Sequence, residues 1–298
     1  MRIAFLGFGL IGGSVARSLR SRSAGWSIAA WSPSGNGPRT AAEDGTIDLA
    51  APDPAAALAG ADLVVLAAPP LECLALLDDL AGPLADALPR GAIVTDVAST
   101  KRSIAARARD RGLPFVGGHP MAGRETAGYG AADEALFVGR PWVICDDGAA
   151  SRAVALVERL ARDVGARPLL MDAATHDAAV AAVSHLPLVL SAALVEAMAP
   201  SASRAGDSTV EHAATLLAAS GWRDMTRLAR GDATMAAGIA ATNADLLAIR
   251  IRDLRDALDG WLAELERPGG SDAARLTSRF AAAQALAGDR DGAAETDR

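Results

Sequence analysis

A chain of 298 residues, half of them hydrophobic, has material for a sizeable core and room for about two domains. Its net charge of −7 excludes nucleic acid as a natural partner, because phosphate binding needs a basic face. No run approaches the roughly 18–20 apolar residues of a membrane span, no signal peptide is read at the first strand, and Cys73 and Cys145 each lie in an apolar segment, so the expected setting is a reducing cytoplasm without membrane contact. Lys101 is the only lysine among 29 basic residues. Against that arginine bias, a single arginine is weak evidence of an anion site unless its neighbours support it.

In chain order, Arg2-Ile3-Ala4-Phe5-Leu6 predicts a buried strand. Gly7-Phe8-Gly9-Leu10-Ile11-Gly12 follows at once, and helical apolar spacing runs on to Leu19. Strand, glycine turn and helix in this order are the dinucleotide-binding fingerprint. Gly7 serves the tight turn, Gly9 the approach of a pyrophosphate, and Gly12 the packing of helix on strand. The amide groups of the helix start, at Leu10 and Ile11, would face the phosphates. Ser27 to Trp31 reads as the second strand. At its end NAD-binding chains usually carry an acidic residue for the ribose 2′-hydroxyl; here the order is Trp31-Ser32-Pro33-Ser34. No carboxylate repels a 2′-phosphate, Ser32 and Ser34 can bond one, and Arg39 is a few residues on, so NADP is expected ahead of NAD.

Further strands are predicted at Leu63–Ala67, Ala92–Asp96, Phe115–Gly117, Trp142–Cys145 and Arg167–Met171, with helices over Glu72–Ala87 and Ser99–Arg111. This alternation predicts an α/β protein whose N-terminal part, residues 1–172, is a Rossmann-type doubly wound parallel sheet. Residues 173–288 carry no strand signal and are expected to form an all-α C-terminal domain, with a disordered polar tail over 289–298. Within the helical part, Thr234 to Glu266 reads as one long helix. Its Leu247, Ile251, Leu254, Leu258, Trp261 and Leu265 form a narrow apolar seam. That seam packs either inside its own domain or against a second copy, in which case a two-fold dimer is the default geometry.

The chemistry is expected where the carboxyl ends of the strands meet the helical part. Ala68-Pro69-Pro70 follows one strand, and Pro69 can line the cofactor. Thr95-Asp96-Val97-Ala98-Ser99-Thr100-Lys101 follows another; Asp96 stands at the cofactor edge, and Ser99 reads either as an N-cap or as a site hydroxyl. In Gly117-Gly118-His119-Pro120, a histidine between glycines and proline is expected in extended backbone on a loop. His176, His185 and His212, each taken alone, read as structural histidines. No metal-ligand set is expected.

Together these stretches resemble the prephenate and arogenate dehydrogenase family, which makes tyrosine or its keto acid precursor. The resemblance rests on the fingerprint, Thr95-Asp96-Val97-Ala98-Ser99, Gly118-His119-Pro120-Met121-Ala122-Gly123, Ser184-His185-Leu186-Pro187, and Gly221-Trp222-Arg223-Asp224-Met225-Thr226-Arg227. It implies a nicotinamide cofactor, a small-molecule substrate and a helical domain that forms a homodimer. By the same resemblance His119 is the catalytic histidine, Ser99 its partner at the substrate hydroxyl, and Arg227 the arginine for a substrate carboxylate. Glu125, His176 and His185 match further polar positions around the substrate.

The substrate of such enzymes is a cyclohexadienol that loses hydride from C4, a proton from the C4 hydroxyl and carbon dioxide from C1. Aromatisation drives the step, so the protein has to align the ring and accept a proton. A neutral imidazole suits that near pH 7, with an acid limb expected around the ordinary histidine value of about 6.5. Prephenate-preferring members often place a second histidine after the His-Leu-Pro triplet; here the position is Leu188, which points to the arogenate-using branch. A relative acting on 4-amino-4-deoxyprephenate and a non-catalytic NAD(P)-binding sensor are the alternatives. β-Hydroxyacid dehydrogenases are disfavoured, because they use a lysine in the helical half and no lysine follows Lys101.

Overall fold

The computed structural model describes residues 1–198 and 208–296, of which 208–211 and 289–296 as backbone only. The first half runs β1 (Arg2–Leu6), α1 (Leu10–Ser21), β2 (Ser27–Trp31), α2 (Asn36–Glu43), β3 (Leu49–Ala50), α3 (Pro54–Leu58), β4 (Leu63–Leu66) and α4 (Pro70–Ala81). It continues with β5 (Ile93–Asp96), α5 (Arg102–Asp110), β6 (Phe115–Pro120), β7 (Pro141–Cys145), α6 (Ser151–Asp163) and β8 (Arg167–Leu170). These strands form one 8-stranded sheet in the order β3-β2-β1-β4-β5-β6-β7-β8.

Strands β1 to β6 pair in parallel, but β6 and β7 pair antiparallel, with His119 opposite Val143. The sheet is therefore not parallel throughout. The reason is the connection: residues 121–140 contain no crossover helix, only the single turn Tyr129–Ala131, so the chain comes back beside β6 in the opposite direction. A second difference follows. His119 belongs to strand β6 and not to a loop.

Both faces of the sheet are covered, which is why its central strands read as unbroken apolar runs. Ile3 and Phe5 point to one side, with Val15, Leu19, Val157 and Leu160; Ala4 and Leu6 point to the other, with Leu58, Cys73, Leu77 and Ile104. Cys73 and Cys145 are free and buried, and burial pushes both thiols up, away from the reactive thiolate.

The glycine turn has the geometry its sequence predicts. Gly7 has φ +87°, and a Cβ there would lie 2.5 Å from the Ala67 carbonyl oxygen. A Cβ on Gly12 would touch that of Ala67 at 3.0 Å, so α1 packs against the end of β4. Gly9 has nothing within 4 Å of its Cβ direction, leaving its backbone open to approach. The loop after β6 is stapled to this turn by Tyr129, whose ring stacks on Phe8 at 5.6 Å and carries the Arg17 guanidinium at 4.4 Å. The Tyr129 hydroxyl bonds Asp44, Thr46 and Arg17.

The helical half consists of α7 (Ala173–Val180), a wide π turn (Ala181–His185), α8 (Leu186–Met198), α9 (Ser208–Leu217), α10 (Ser220–Met225), α11 (Ala233–Thr242), α12 (Ala244–Leu265) and α13 (Ala273–Thr296). Pro187 has no N–H for the carbonyl one turn back, and the widened turn just before it absorbs that loss. The long helix predicted from Thr234 to Glu266 is interrupted at Asn243, which has φ −132°. Its side chain is drawn inward to the Asp177 carbonyl and the His185 ring, a pull that outweighs helical continuity. The expected tail is helical as far as Thr296, and Asp297 and Arg298 lie outside the described residues.

Ala173–Met198 is long and apolar enough to cross a membrane by length and composition, with mean hydropathy 2.0 over an 18-residue window. No run of that kind was expected, because His176, Asp177, Ser184 and His185 interrupt the apolar residues. Those interruptions matter: His176, Asp177 and His185 are buried within the protein.

By contacts the chain divides into Met1–Leu247 and Ala248–Arg298, so the segment 173–247 belongs with the sheet and not with the last helices. In the second unit Trp261 packs on Phe280 at 4.7 Å, and Glu264 pairs with Arg275 at 2.8 Å. Of the apolar seam, Ile251, Leu258 and Leu265 remain exposed in the single chain.

Gly7→Ala should destabilise the fold by about 1–3 kcal/mol, since it combines an unfavourable φ with a clash against main chain. Urea unfolding measures this; an unchanged midpoint would show that the turn relaxes freely.

Candidate active site

Asp96 ends β5 and its carboxylate turns back into the protein. Oδ1 accepts from Gly118 N at 3.0 Å; Oδ2 accepts from Ala98 N at 3.1 Å and from Lys101 Nζ. Asp96 and Lys101 are both 0% exposed. Asp96 was expected among the cofactor contacts. That reading is corrected: both oxygens are used inside the protein and neither reaches the surface.

The expected helix start at Ser99 is also displaced. Helix α5 begins after Lys101, and neither Ser99 nor Thr100 caps it. The cap comes from another helix. Asp177 of α7 accepts from Lys101 N at 2.8 Å and from Arg102 N at 2.9 Å, which puts a carboxylate at the positive end of α5. Thr100 bonds Thr242 of α11 at 2.8 Å instead. The Ser99 hydroxyl is half-buried and makes no hydrogen bond within the protein. That leaves it available to a ligand, as a site hydroxyl requires.

His119 lies at the end of β6, 8% exposed. Its Nδ1 is 2.8 Å from His176 Nε2, and His176 Nδ1 is 2.8 Å from Asp177 Oδ1. The direction of the protons follows. Burial alone would raise the Asp177 carboxyl, but the His176 ring and the two main-chain N–H groups outweigh it and hold it below its ordinary value. As a carboxylate it can only accept, so His176 Nδ1 donates to it. With both rings neutral, His176 Nε2 then accepts from His119 Nδ1–H. His119 Nε2 is left with a lone pair. Burial, followed by the proximity of His176, Lys101 and His185, holds the His119 imidazole well below its ordinary value. It is a neutral imidazole whose tautomer is set by its neighbours.

His185, in the π turn, is fully buried. Its Nδ1 accepts from Asn243 Nδ2 at 3.1 Å, so Nε2 carries the proton; the Ser99 main chain lies near the ring, but Nε2 makes no hydrogen bond of normal geometry. Burial first, against the pull of Asp177, lowers it to about 4. Leu188 is half-buried on α8, one helical turn beyond His185.

Arg227 pairs with Glu125, so the structure brings two expected substrate residues together, on a side where Arg227 is 58% exposed. Ser32, half-buried, and Ser34, exposed, follow β2, with Ser34 Oγ accepting from Asn36 N at 3.3 Å and Arg39 held to Asn36. Leu10 and Ile11 open α1, which has no side-chain cap. An open cleft of about 1140 Å³ is lined by Arg17, Arg20, Asp44 and Arg124 among others and includes neither His119 nor Ser99. The site is recognised by its chemistry and not by its volume.

Three residues of this arrangement escaped the sequence reading: Asp177, Asn243 and the buried role of Lys101. The signal for Asp177 was present. His176-Asp177 is an ionisable pair in an otherwise apolar helix, and such a pair needs buried partners.

The sequence model of the prephenate dehydrogenase nucleotide-binding domain matches residues 15–170, and that of the prephenate dehydrogenase dimerization domain matches residues 172–269. The chain is 30% identical over 276 residues to prephenate dehydrogenase of Bacillus subtilis, covering 89% of this chain and 68% of that protein. It is 28% identical over 269 residues to cyclohexadienyl dehydrogenase of Zymomonas mobilis, covering 89% and 86%. Among solved structures, Synechocystis arogenate dehydrogenase superposes with TM-score 0.77 at 32% identity, over 98% of this chain and 99% of that one. Prephenate dehydrogenase from A. aeolicus in complex with hydroxyphenyl propionate and NAD+ gives 0.78 at 25%, over 98% and 95%. With both halves matched, the chain belongs to the prephenate dehydrogenase family of oxidoreductases.

Proposed function

We propose that this chain oxidises and decarboxylates arogenate in preference to prephenate, with NADP as the favoured hydride acceptor. The observation that carries the reading is the chain Asp177, His176, His119, which leaves one imidazole nitrogen unprotonated at the carboxyl edge of the sheet. The residues fit a dinucleotide. Gly9 leaves its backbone open, and the uncapped first turn of α1 presents its amides to phosphate oxygens. Ser32, Ser34 and Arg39 would receive a 2′-phosphate, and Pro69 and the start of α4 would line the nicotinamide end. When bound, the nicotinamide supplies the hydride acceptor.

Substrate alignment and proton removal fall to the protein. Ser99 orients the C4 hydroxyl, and His119 Nε2 takes its proton. Arg227, released from Glu125 or sharing it, takes a carboxylate through its planar fork, and Glu125 is then placed for an ammonium group. Arogenate carries that ammonium where prephenate has a keto group. Leu188 offers the keto acid no hydrogen bond, whereas a histidine there would. The exposed apolar seam of α12 and the family's dimerization domain support a homodimer through the helical half.

His119→Asn should fold and bind cofactor but lose roughly 10²–10⁴ in kcat. The base works unprotonated and burial lowers its pKa, so the native acid limb should lie below pH 6.5 and not at it; near-native turnover in the variant would remove His119 from the chemistry. Arg227→Ala should raise KM, by about 1.5–3 kcal/mol in kcat/KM, with kcat little changed. If kcat/KM stays constant, the carboxylate is bound elsewhere. For substrate choice, kcat/KM is compared for arogenate and prephenate, each with NAD and NADP. The native enzyme should prefer arogenate by about 1–3 kcal/mol, and Leu188→His should narrow the gap by improving prephenate use. Native preference for prephenate, or a loss on both substrates alike, sinks the assignment.

A further inference from the structure

The sole lysine of the chain is fully buried behind the catalytic strand. Burying an ammonium costs several kcal/mol unless every proton finds an acceptor, so its partners show what it holds in place. Lys101 Nζ donates to Asp96 Oδ2 and, at 2.7 Å, to the carbonyl of Gly118, the residue immediately before His119. The other oxygen of Asp96 accepts the N–H of the same glycine. Parallel pairing between β5 and β6 runs only as far as Thr95 and Val116, so beyond it the Asp96 and Lys101 side chains take up both main-chain polar groups of Gly118. The fit is close. A Cβ on Gly118 would lie 2.5 Å from the Asp96 carbonyl oxygen, and one on Gly117 would lie 3.1 Å from Lys101 Cδ.

The other end of Lys101 reaches the same histidine by a different route. Its main-chain N–H donates to Asp177, Asp177 accepts from His176, and His176 accepts from His119. Lys101, Asp177, His176, His119 and Gly118 therefore form a closed ring. We infer that Lys101 is a positioning residue for His119, fixing the imidazole from both sides and placing a buried positive charge beside it. This rests on the reading of His119 as the base.

The charged and titratable groups that face His119 are few. His176 faces it from α7, with Asp177 behind. His185 faces it from the π turn, and Lys101 from the start of α5, with Asp96 of β5 as its partner. Val143, opposite on β7, is uncharged. The neighbouring imidazoles and the Lys101 ammonium oppose a proton on His119, and Asp96, held against the ammonium, offsets part of its field. Burial and the ammonium act in the same direction.

The test is the pH profile of Lys101→Met, which keeps the length of the side chain and removes its charge. With cofactor saturating, its acid limb should move to higher pH by on the order of one unit, with kcat down about tenfold and cofactor affinity unchanged. A folded variant with its acid limb at the native position overturns the inference. The native protein gives an independent reading. With ¹⁵N-lysine its single Nζ resonance should exchange slowly and shift as His119 protonates, a step that His119→Asn abolishes. Rapid exchange, as for an exposed lysine, or a titration step that persists in His119→Asn, overturns the inference. Near-native turnover in His119→Asn would instead defeat the base reading while leaving the Nζ result standing.

Discussion

The Asp177 carboxylate is the interaction on which the rest of this site depends. It starts helix α5 by accepting its first main-chain N–H groups, and it orients His176 through Nδ1. It is also the point at which the helical segment joins the sheet domain, since α5 follows β5 and Asp177 lies on α7. Arg102 strengthens the same joint through Asp177, Asn243 and Asp245. A buried charge so well surrounded by donors is tolerated; with one donor missing it would be a heavy cost. The tautomer of His119 is thus tied to correct docking of α7 on the sheet domain.

Electrostatics and sterics act together here. The imidazole stays neutral because burial and a neighbouring ammonium both oppose its protonation, while its direction is set by a ring of hydrogen bonds. The two glycines before it are needed for the same reason. They let β6 come within van der Waals reach of Lys101, Asp96 and Trp142, where any side chain would separate the strands. The buried polar groups of this region contribute little net stability, and what they hold is one tautomer of the His119 imidazole.

Much of this was legible in the sequence. The fingerprint was, because each glycine answers a local constraint that no other residue meets, and Gly7, Gly9 and Gly12 occupy the three environments it implies. The sheet was legible from runs such as Leu63 to Leu66, which are apolar on both faces. The antiparallel step at β7 was not, since strand direction leaves no mark on composition and depends on what connects the strands. Nor was the strand position of His119: Gly-Gly-His-Pro has the composition of a loop, and only the close approach of Asp96 and Lys101 explains the glycines. Asn243 costs a helix little, so its break could not be read either. Asp96 misled because the end of a parallel strand is usually open to ligand, and here Lys101 closes it.

The central claim is that His119 is a neutral base with its proton on Nδ1 and a free lone pair on Nε2. Imidazole ¹⁵N shifts and two-bond ¹H–¹⁵N correlations of the native protein at pH 7 report this directly, with His119→Asn assigning the signal. The account predicts a pyrrole-type Nδ1 and a pyridine-type Nε2 for His119, both unchanged as pH falls past 6.5. A proton on Nε2 at pH 7, or an imidazolium that forms at or above the ordinary histidine value, would contradict it.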